Sequence, residues 1–415
     1  MILFTHPTGN ANVRYAALGL HQAGLISEFW TCLNYRGSGF LEKILPRGVT
    51  NQLKRRTYPE ALTSVIHTQP FHEVMRLLAP KVGLRRLVQH EKGRFSVDAV
   101  YRALDRAASR RLRSGKFSGV YAYEDGAEFC FRAAKERGVR ALYDLPIGYW
   151  RAAREILLEE AEREPEWAVT LSGNQDSREK TERKDAELAM ADVVYVASSY
   201  TRKTLESARD FKGKVVIVPY GSPTLPPVGG SKPPIERKRG KKLRVLFVGS
   251  LGQRKGLSYL FSACRQLEGA VELTIIGQKP LEPCAILDRE LSAVRWLPTC
   301  PHQQVLAEMA AHDVFVFPSL FEGFGLVLLE AMAMGLPVIT TAHTAGPDLI
   351  RDGVEGFIVP IRSSTAIAER LELLHREPLR HADMSECARL RAREFSWETY
   401  GKTLAACVAQ ALGSR

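Results

Sequence analysis

The chain has 415 residues, 45% of them hydrophobic and 25% charged, with a formal net charge of +12. That length exceeds one ordinary core and fits two domains of about 200 residues each. No apolar run approaches the roughly 18 residues of a membrane span, and Met1-Ile-Leu-Phe-Thr-His enters a strand pattern rather than a basic leader, so a cytoplasmic protein is expected. The seven cysteines are odd in number, scattered and never spaced C-x-x-C, which argues against a disulfide framework or a zinc site.

In chain order, residues 2–5 read as a strand, 13–23 as a helix and 28–33 as a strand. The loop between the first two, His6-Pro7-Thr8-Gly9-Asn10-Ala11-Asn12, is polar and contains a glycine; its plainest reading is a turn with Asn12 capping the helix. After a basic segment with a helix at 97–113 come a strand at 120–123, a helix at 127–137 and a strand at 139–144. Helices at 150–163 and 178–190 and strands at 193–197 and 214–219 complete a first domain over 1–220. This is the alternation of a doubly wound parallel sheet. Residues 221–241, rich in proline and glycine and ending in a charge run, read as a linker. A second α/β unit spans 242–395, with strands at 243–248, 272–276, 294–297, 314–317, 337–340 and 356–359. A final helix covers about 397–412.

The charge is unevenly placed. Residues 36–116 hold 18 Lys or Arg against 6 Asp or Glu, so this basic insertion carries the whole excess. Clusters such as Lys54-Arg55-Arg56, Arg85-Arg86 and Arg110-Arg111 alternate with apolar residues. Such a pattern suits an anionic membrane surface or a phosphorylated acceptor, against the plainer reading of a solvated basic face. No nucleic-acid-binding module accompanies it, so no nucleic-acid partner is expected.

The most informative stretch is F-E-G-F-G-L-V-L-L-E-A-M-A-M-G-L-P-V-I-T at 321–340. Glu322 lies in a glycine-bearing loop after a strand, and Glu330 eight residues on in a helix. Gly323, Phe324 and Gly325 then fall at a helix N-terminus, where unpaired N–H groups and the helix dipole favour a phosphate. Two carboxylates beside an anion site suit a polyhydroxylated ligand carrying a diphosphate, and a nucleotide sugar is such a ligand. A second loop at a strand end, Gly249-Ser250-Leu-Gly-Gln-Arg254-Lys255-Gly256, offers cations but is not a P-loop, because Gly-Lys-Ser/Thr is absent. Ligands of open α/β sheets bind outside such strand ends.

E-G-F-G-L-V-L-L-E-A-M-A-M-G-L-P-V-I resembles the E-x7-E signature of the family 4 retaining glycosyltransferases, which have the GT-B fold. V-L-F-V-G-S-L-G-Q-R-K-G at 245–256, D-V-F-V-F-P-S at 313–319 and G-V-E-G-F-I-V-P at 353–360 extend the likeness over the C-terminal half. The resemblance implies two Rossmann-like domains facing across a cleft, with the last helix, 396–415, crossing back to the first. It implies transfer of a sugar from a nucleotide-sugar donor, with retention, to a glycan or lipid-linked acceptor; the basic segment adds the expectation of a peripheral place on the inner membrane face. Glu322 would hold sugar hydroxyls, Glu330 the ribose, and Lys255 the diphosphate, with Gly249, Ser250, Arg254, Gly323, Phe324, Gly325 and Leu326 around the donor. The loop with Gly9 and Asn10 would lie over the cleft.

Two departures stand out. The family's usual phosphate-binding arginine, five positions before the lysine, is Ser250 here, with Arg254 beside Lys255 instead. The His-Asp pair common after a first-domain strand is replaced by Tyr143-Asp144, leaving Asp144 as the nearest catalytic candidate and Glu124 and Asp125 at a neighbouring strand end. The chain has no Asp-x-Asp, so no metal and no further cofactor is expected, and the leaving charge falls to Lys255, Arg254 and the helix N-terminus. A sugar-nucleotide epimerase of the same fold, or a non-catalytic carbohydrate or membrane-surface binding protein, remains as an alternative.

Overall fold

A computed structural model of the chain describes residues 1–37, 52–54, 56–171, 176–208, 210–222 and 241–413. Most of the expected linker, and residues 38–51 and Arg55 of the basic segment, lie outside the described residues. The described chain builds two parallel sheets. The first has β1 (Ile2–Thr5), β2 (Ile26–Thr31), β3 (Ile66–Thr68), β4 (Gly119–Tyr123), β5 (Arg140–Leu145), β6 (Val193–Val196) and β7 (Lys214–Ile217), in the spatial order β3-β2-β1-β4-β5-β6-β7. The second has β8 (Leu243–Val248), β9 (Val271–Ile276), β10 (Arg295–Leu297), β11 (Val314–Phe317), β12 (Val338–Thr341) and β13 (Gly356–Val359), in the order β10-β9-β8-β11-β12-β13.

These strands read as unbroken apolar runs because helices cover both faces of a parallel sheet. Val314, Phe315, Val316 and Phe317 are all buried, as are Ile2, Leu3 and Phe4. Strand order reverses between β1 and β4 in one sheet and between β8 and β11 in the other. Such switch points open a crevice at the carboxyl ends of the strands. The loops after β1, β8 and β11 therefore flank the crevices, and those loops carry the motifs read from sequence. Each sheet is thus the core of one Rossmann-like domain.

Several boundaries differ from expectation. The first helix is Ala11–Gln22, so Asn10 stands at its N-cap and Asn12 lies inside it. Asn12 is buried and its Nδ2 donates to the Tyr220 hydroxyl at 3.3 Å rather than capping a backbone group. The strand expected at 28–33 is Ile26–Thr31, and the one at 139–144 is Arg140–Leu145. The basic segment is more than an appendage, because it supplies β3, the edge strand of the first sheet. Its alternation was masked by three residues being too few to register a period.

The final helix, Trp397–Gly413, packs against Ala11–Gln22 of the first domain. Tyr15 and Trp397 stack with ring centroids 4.7 Å apart. Gly19 and Gly401 face each other so closely that a Cβ at Gly19 would stand 2.5 Å from the Gly401 Cα. The two domains also meet directly. Ser198 Oγ and Thr201 Oγ1 of the first donate to the Gly323 carbonyl of the second, at 2.5 and 2.9 Å. Glu160, fully buried, accepts from Gln253 Nε2, Tyr259 Oη and Arg362 Nε at 2.7, 2.9 and 2.7 Å.

Candidate active site

The helix Leu326–Ala333 begins where the chain turns sharply at Gly325, whose φ of 84° is costly for any residue with a Cβ. The Leu328 N–H is taken by the Gly325 carbonyl at 2.9 Å, which leaves the N–H groups of Leu326 and Val327 without an acceptor in the helix. They face a cavity of about 330 Å³ between the domains, lined on one side by Asn10, Asn12, Pro146, Ile147 and Tyr220 and on the other by Gly249, Ser250, Lys255, Glu322, Gly323, Phe324, Gly325 and Leu326. Gly323 has to be glycine for a different reason: a Cβ there would stand 2.0 Å from the Pro146 carbonyl oxygen across the interface.

Lys255 and Glu322 form an ion pair at this cavity, and the Lys255 ammonium also sits 4.9 Å from the Phe317 ring centroid. Burial, with the neighbouring Arg254 charge second, pulls the Lys255 ammonium well below its ordinary range. The Glu322 carboxylate in contact is a counter-charge that favours the charged form against that burial. Arg254 does not present a free guanidinium to the cavity. Its Nη1 donates to the Phe321 carbonyl at 2.7 Å and to Glu322 Oε1 at 3.0 Å, bracing the loop from behind. Burial lowers its pKa as well.

Glu330 faces a second, larger cavity of about 840 Å³, lined by Arg14, Tyr15, Thr57, Tyr58, Pro59, His302, Leu326 and Trp397 among others. Leu326 lines both cavities, so the two glutamates look into adjoining spaces from the two ends of one turn-and-helix unit. The Glu330 carboxylate meets His302 Nε2 at 2.9 Å. Burial raises its pKa, and the His302 contact opposes the rise.

The first-domain candidates are placed differently from one another. Asn10 lines the smaller cavity, and the Gly9 carbonyl accepts from Arg14 Nε at 2.7 Å, fixing the loop over the larger one. Asp144, expected at the reacting centre, lines neither cavity. It is buried and accepts from the Tyr121 hydroxyl at 2.6 Å, and burial pushes its pKa up to about 7. Its side chain turned inward because β5 alternates faces, and the residues that reach the cleft are Pro146 and Ile147 beyond the strand end. Glu124 and Asp125 line neither cavity either. Lys184 approaches both, at 3.7 and 3.9 Å, and Arg183 Nη2 meets Asp125 at 3.4 Å.

Sequence reasoning missed Arg14, Tyr58, Tyr220, His302 and Trp397. Arg14 carried a faint signal, one helical turn beyond Asn10 and so on the same face. The others come from distant segments and had none.

Residues 231–391 match the family model described as glycosyl transferases group 1. Over 139 residues the chain is 37% identical to the amylovoran biosynthesis glycosyltransferase AmsK of Erwinia amylovora, covering 30% of this chain and 34% of that protein. It is 30% identical over 254 residues to the D-inositol 3-phosphate glycosyltransferase of Corynebacterium jeikeium, covering 55% and 60%. The matches thus span about a third to three fifths of these relatives' length. Among solved structures, a glycosyltransferase from Rickettsia africae superposes with a TM-score of 0.63 at 12% identity, over 100% of this chain and 99% of that one. Anabaena HepE in complex with UDP and glucose does so at 0.59 and 17%, over 99% of each. At these identities the superpositions establish the GT-B fold.

Proposed function

We propose, from the match of residues 231–391 to the glycosyl transferases group 1, that the protein is a retaining, metal-independent glycosyltransferase that uses a nucleotide-sugar donor. The observation that carries the reading is the Lys255–Glu322 pair beside the N-terminus of Leu326–Ala333, in a cavity between two Rossmann-like domains. In this proposal the donor diphosphate lies over the first-turn N–H groups and takes Lys255 as its partner. Glu322 then turns to the sugar hydroxyls, and Glu330 receives the ribose hydroxyls.

The anomeric carbon–oxygen bond to the diphosphate breaks while a bond to the acceptor oxygen forms on the same face of the sugar. The acceptor proton passes to the departing phosphate oxygen. Charge grows on the diphosphate as the bond stretches, so a preorganised cation and N–H dipoles lower the barrier without a metal. No enzymatic nucleophile is required, which suits a cleft whose first-domain carboxylates Asp144, Glu124 and Asp125 point elsewhere. The acceptor, a glycan or lipid-linked saccharide, enters from the first-domain side past Asn10 and Tyr58. Among the described residues no helix is long and apolar enough to cross a membrane. We place the protein in the cytoplasm, with peripheral contact at the membrane through its basic segment.

A thermal-shift panel of UDP-, GDP-, ADP- and TDP-sugars identifies the donor, since the bound nucleotide raises the melting temperature with occupancy. With that donor and an acceptor, wild type forms a glycosylated product with retained anomeric configuration and Glu322→Gln does not. Wild-type turnover in the variant overturns the proposal.

A further inference from the structure

Among the described residues of 36–116 some cations are held in ion pairs, while others, such as Arg36, Lys92, Arg110 and Lys116, are exposed. Arg56 and Arg76 both clasp buried Glu73, Arg111 binds Glu28, and Arg113 binds Glu136, so these charges are spent on the domain itself. Arg56 is buried, which removes Lys54-Arg55-Arg56 as a uniform surface patch. Lys81, Arg85 and Arg86 are exposed, and no described residue forms an ion pair with them.

These three stand on one protrusion. Residues 80–86, Pro-Lys-Val-Gly-Leu-Arg-Arg, are seven consecutive exposed positions spanning parts of two short 3-10 turns, Ala79–Val82 and Arg85–Val88. Their apolar members are out as well: Val82 is 68% exposed and Leu84 51%. Phe71 at 55% and Leu78 at 45%, at the two ends of the preceding helix Phe71–Leu78, are exposed as well. Leaving four large apolar side chains in water beside three unpaired cations contributes nothing to this domain's stability. It is what a headgroup-and-acyl boundary recognises, where apolar tips insert and cations meet lipid phosphates. A soluble polyanion would need the charges but not the apolar tips.

The protrusion is tied to the cleft. Glu73, on the helix that carries it, holds Arg56, and the next three residues, Thr57, Tyr58 and Pro59, line the larger cavity. We propose that residues 80–86, with Phe71 and Leu78, form the element by which this protein docks on an anionic lipid surface, orienting that cavity toward a membrane-borne acceptor. The orientation part rests on the glycosyltransferase reading; the docking part does not.

The test is co-sedimentation of the full chain with vesicles of phosphatidylglycerol and phosphatidylcholine in equal parts, against phosphatidylcholine alone and against a soluble polyanion, heparin. Wild type binds the anionic vesicles, ignores the neutral ones and is released by salt. Replacing Lys81, Arg85 and Arg86 together with alanine lowers partition about a hundredfold, the equivalent of about 3 kcal/mol at about 1 kcal/mol per cation. Val82→Asp with Leu84→Asp lowers it comparably while leaving the melting temperature and the shift caused by nucleotide unchanged. In Leu84→Trp the added emission moves to the blue only with anionic vesicles. Absence of wild-type binding, equal binding to neutral vesicles, unchanged partition in the aspartate variant, or binding to heparin alone would each overturn the proposal. Donor binding by the same samples is scored separately, so loss of docking and loss of the enzymatic reading are told apart.

Discussion

Lys255 and Glu322 hold each other in an ion pair whose side chains are only 8% and 12% exposed, at the place where a donor diphosphate would need the lysine. The glutamate therefore occupies the cation in the ligand's stead. On the proposed reading, donor binding would exchange that carboxylate for a phosphate on Lys255, and the same exchange would release Glu322 toward the sugar. A buried charge left without its partner is costly, so each half of the pair depends on the other.

This coupling makes Glu322→Gln two-sided. Turnover falls sharply, because the amide is a poorer acceptor for several hydroxyl donors. Affinity for the free nucleoside diphosphate rises, because Lys255 no longer has to leave a carboxylate. Calorimetry on wild type and variant checks both; weaker diphosphate binding in the variant refutes the exchange.

Lys255→Ala weakens nucleoside diphosphate binding by about 2 kcal/mol or more, the cost of removing a desolvated charge pair. Arg254→Ala acts less directly, since that guanidinium braces Phe321 and Glu322. Its expected mark is a loss of turnover with a smaller change in diphosphate affinity. Equal losses of affinity in the two variants would place Arg254 on the phosphate.

Glu330→Gln should weaken the nucleotide and the nucleotide sugar alike, by about 1–2 kcal/mol, because its cavity adjoins the one holding Glu322 and a ribose is common to both ligands. A loss confined to the nucleotide sugar, measured by competition binding, would move Glu330 from the ribose to the transferred sugar.

Asp144 gives the first domain a pH dependence. Its folded pKa is raised from 3.8 to about 7, so between those values the folded state binds more protons than the unfolded one. Stability from this group is present at low pH and is lost as pH rises through about 7. Asp144→Asn keeps an acceptor for Tyr121 and flattens that part of the profile, read as melting temperature against pH. An unchanged slope would assign it to other buried acids.

Gly19→Val tests the crossing helix. A side chain there meets the Gly401 backbone, and overpacking of this kind costs about 1–3 kcal/mol. The melting temperature falls. Limited proteolysis should then cut first near the start of Trp397–Gly413. Unaltered stability would mean that the two helices separate without loss.

The grouping of the candidate donor residues at adjoining cavities was legible because they are close in sequence. Glu322, Gly325 and Glu330 belong to one strand-turn-helix unit, and Lys255 to another, so local geometry fixed their neighbourhood. Asp144 was misread because a strand-end carboxylate looks the same whether its strand turns it toward the cleft or the core. That Phe321 and Glu322 engage Arg254 was not legible, because a cation next to Lys255 gives no hint of partners so distant in sequence.

By itself the sequence determined two alternating α/β units, their strand-end loops and the strand-turn-helix unit carrying Glu322 and Glu330, since periodicity and turn residues are local properties of the chain. Only the tertiary structure decided which distant groups share a cavity: Arg14, Tyr58, His302 and Trp397 around Glu330, and Asn10, Ile147 and Tyr220 opposite Lys255. It also decided which of the cations at 36–116 are consumed in ion pairs and which stay exposed. Pairing and burial depend on how two sheets and a returning helix pack together, and no short window of sequence contains that information.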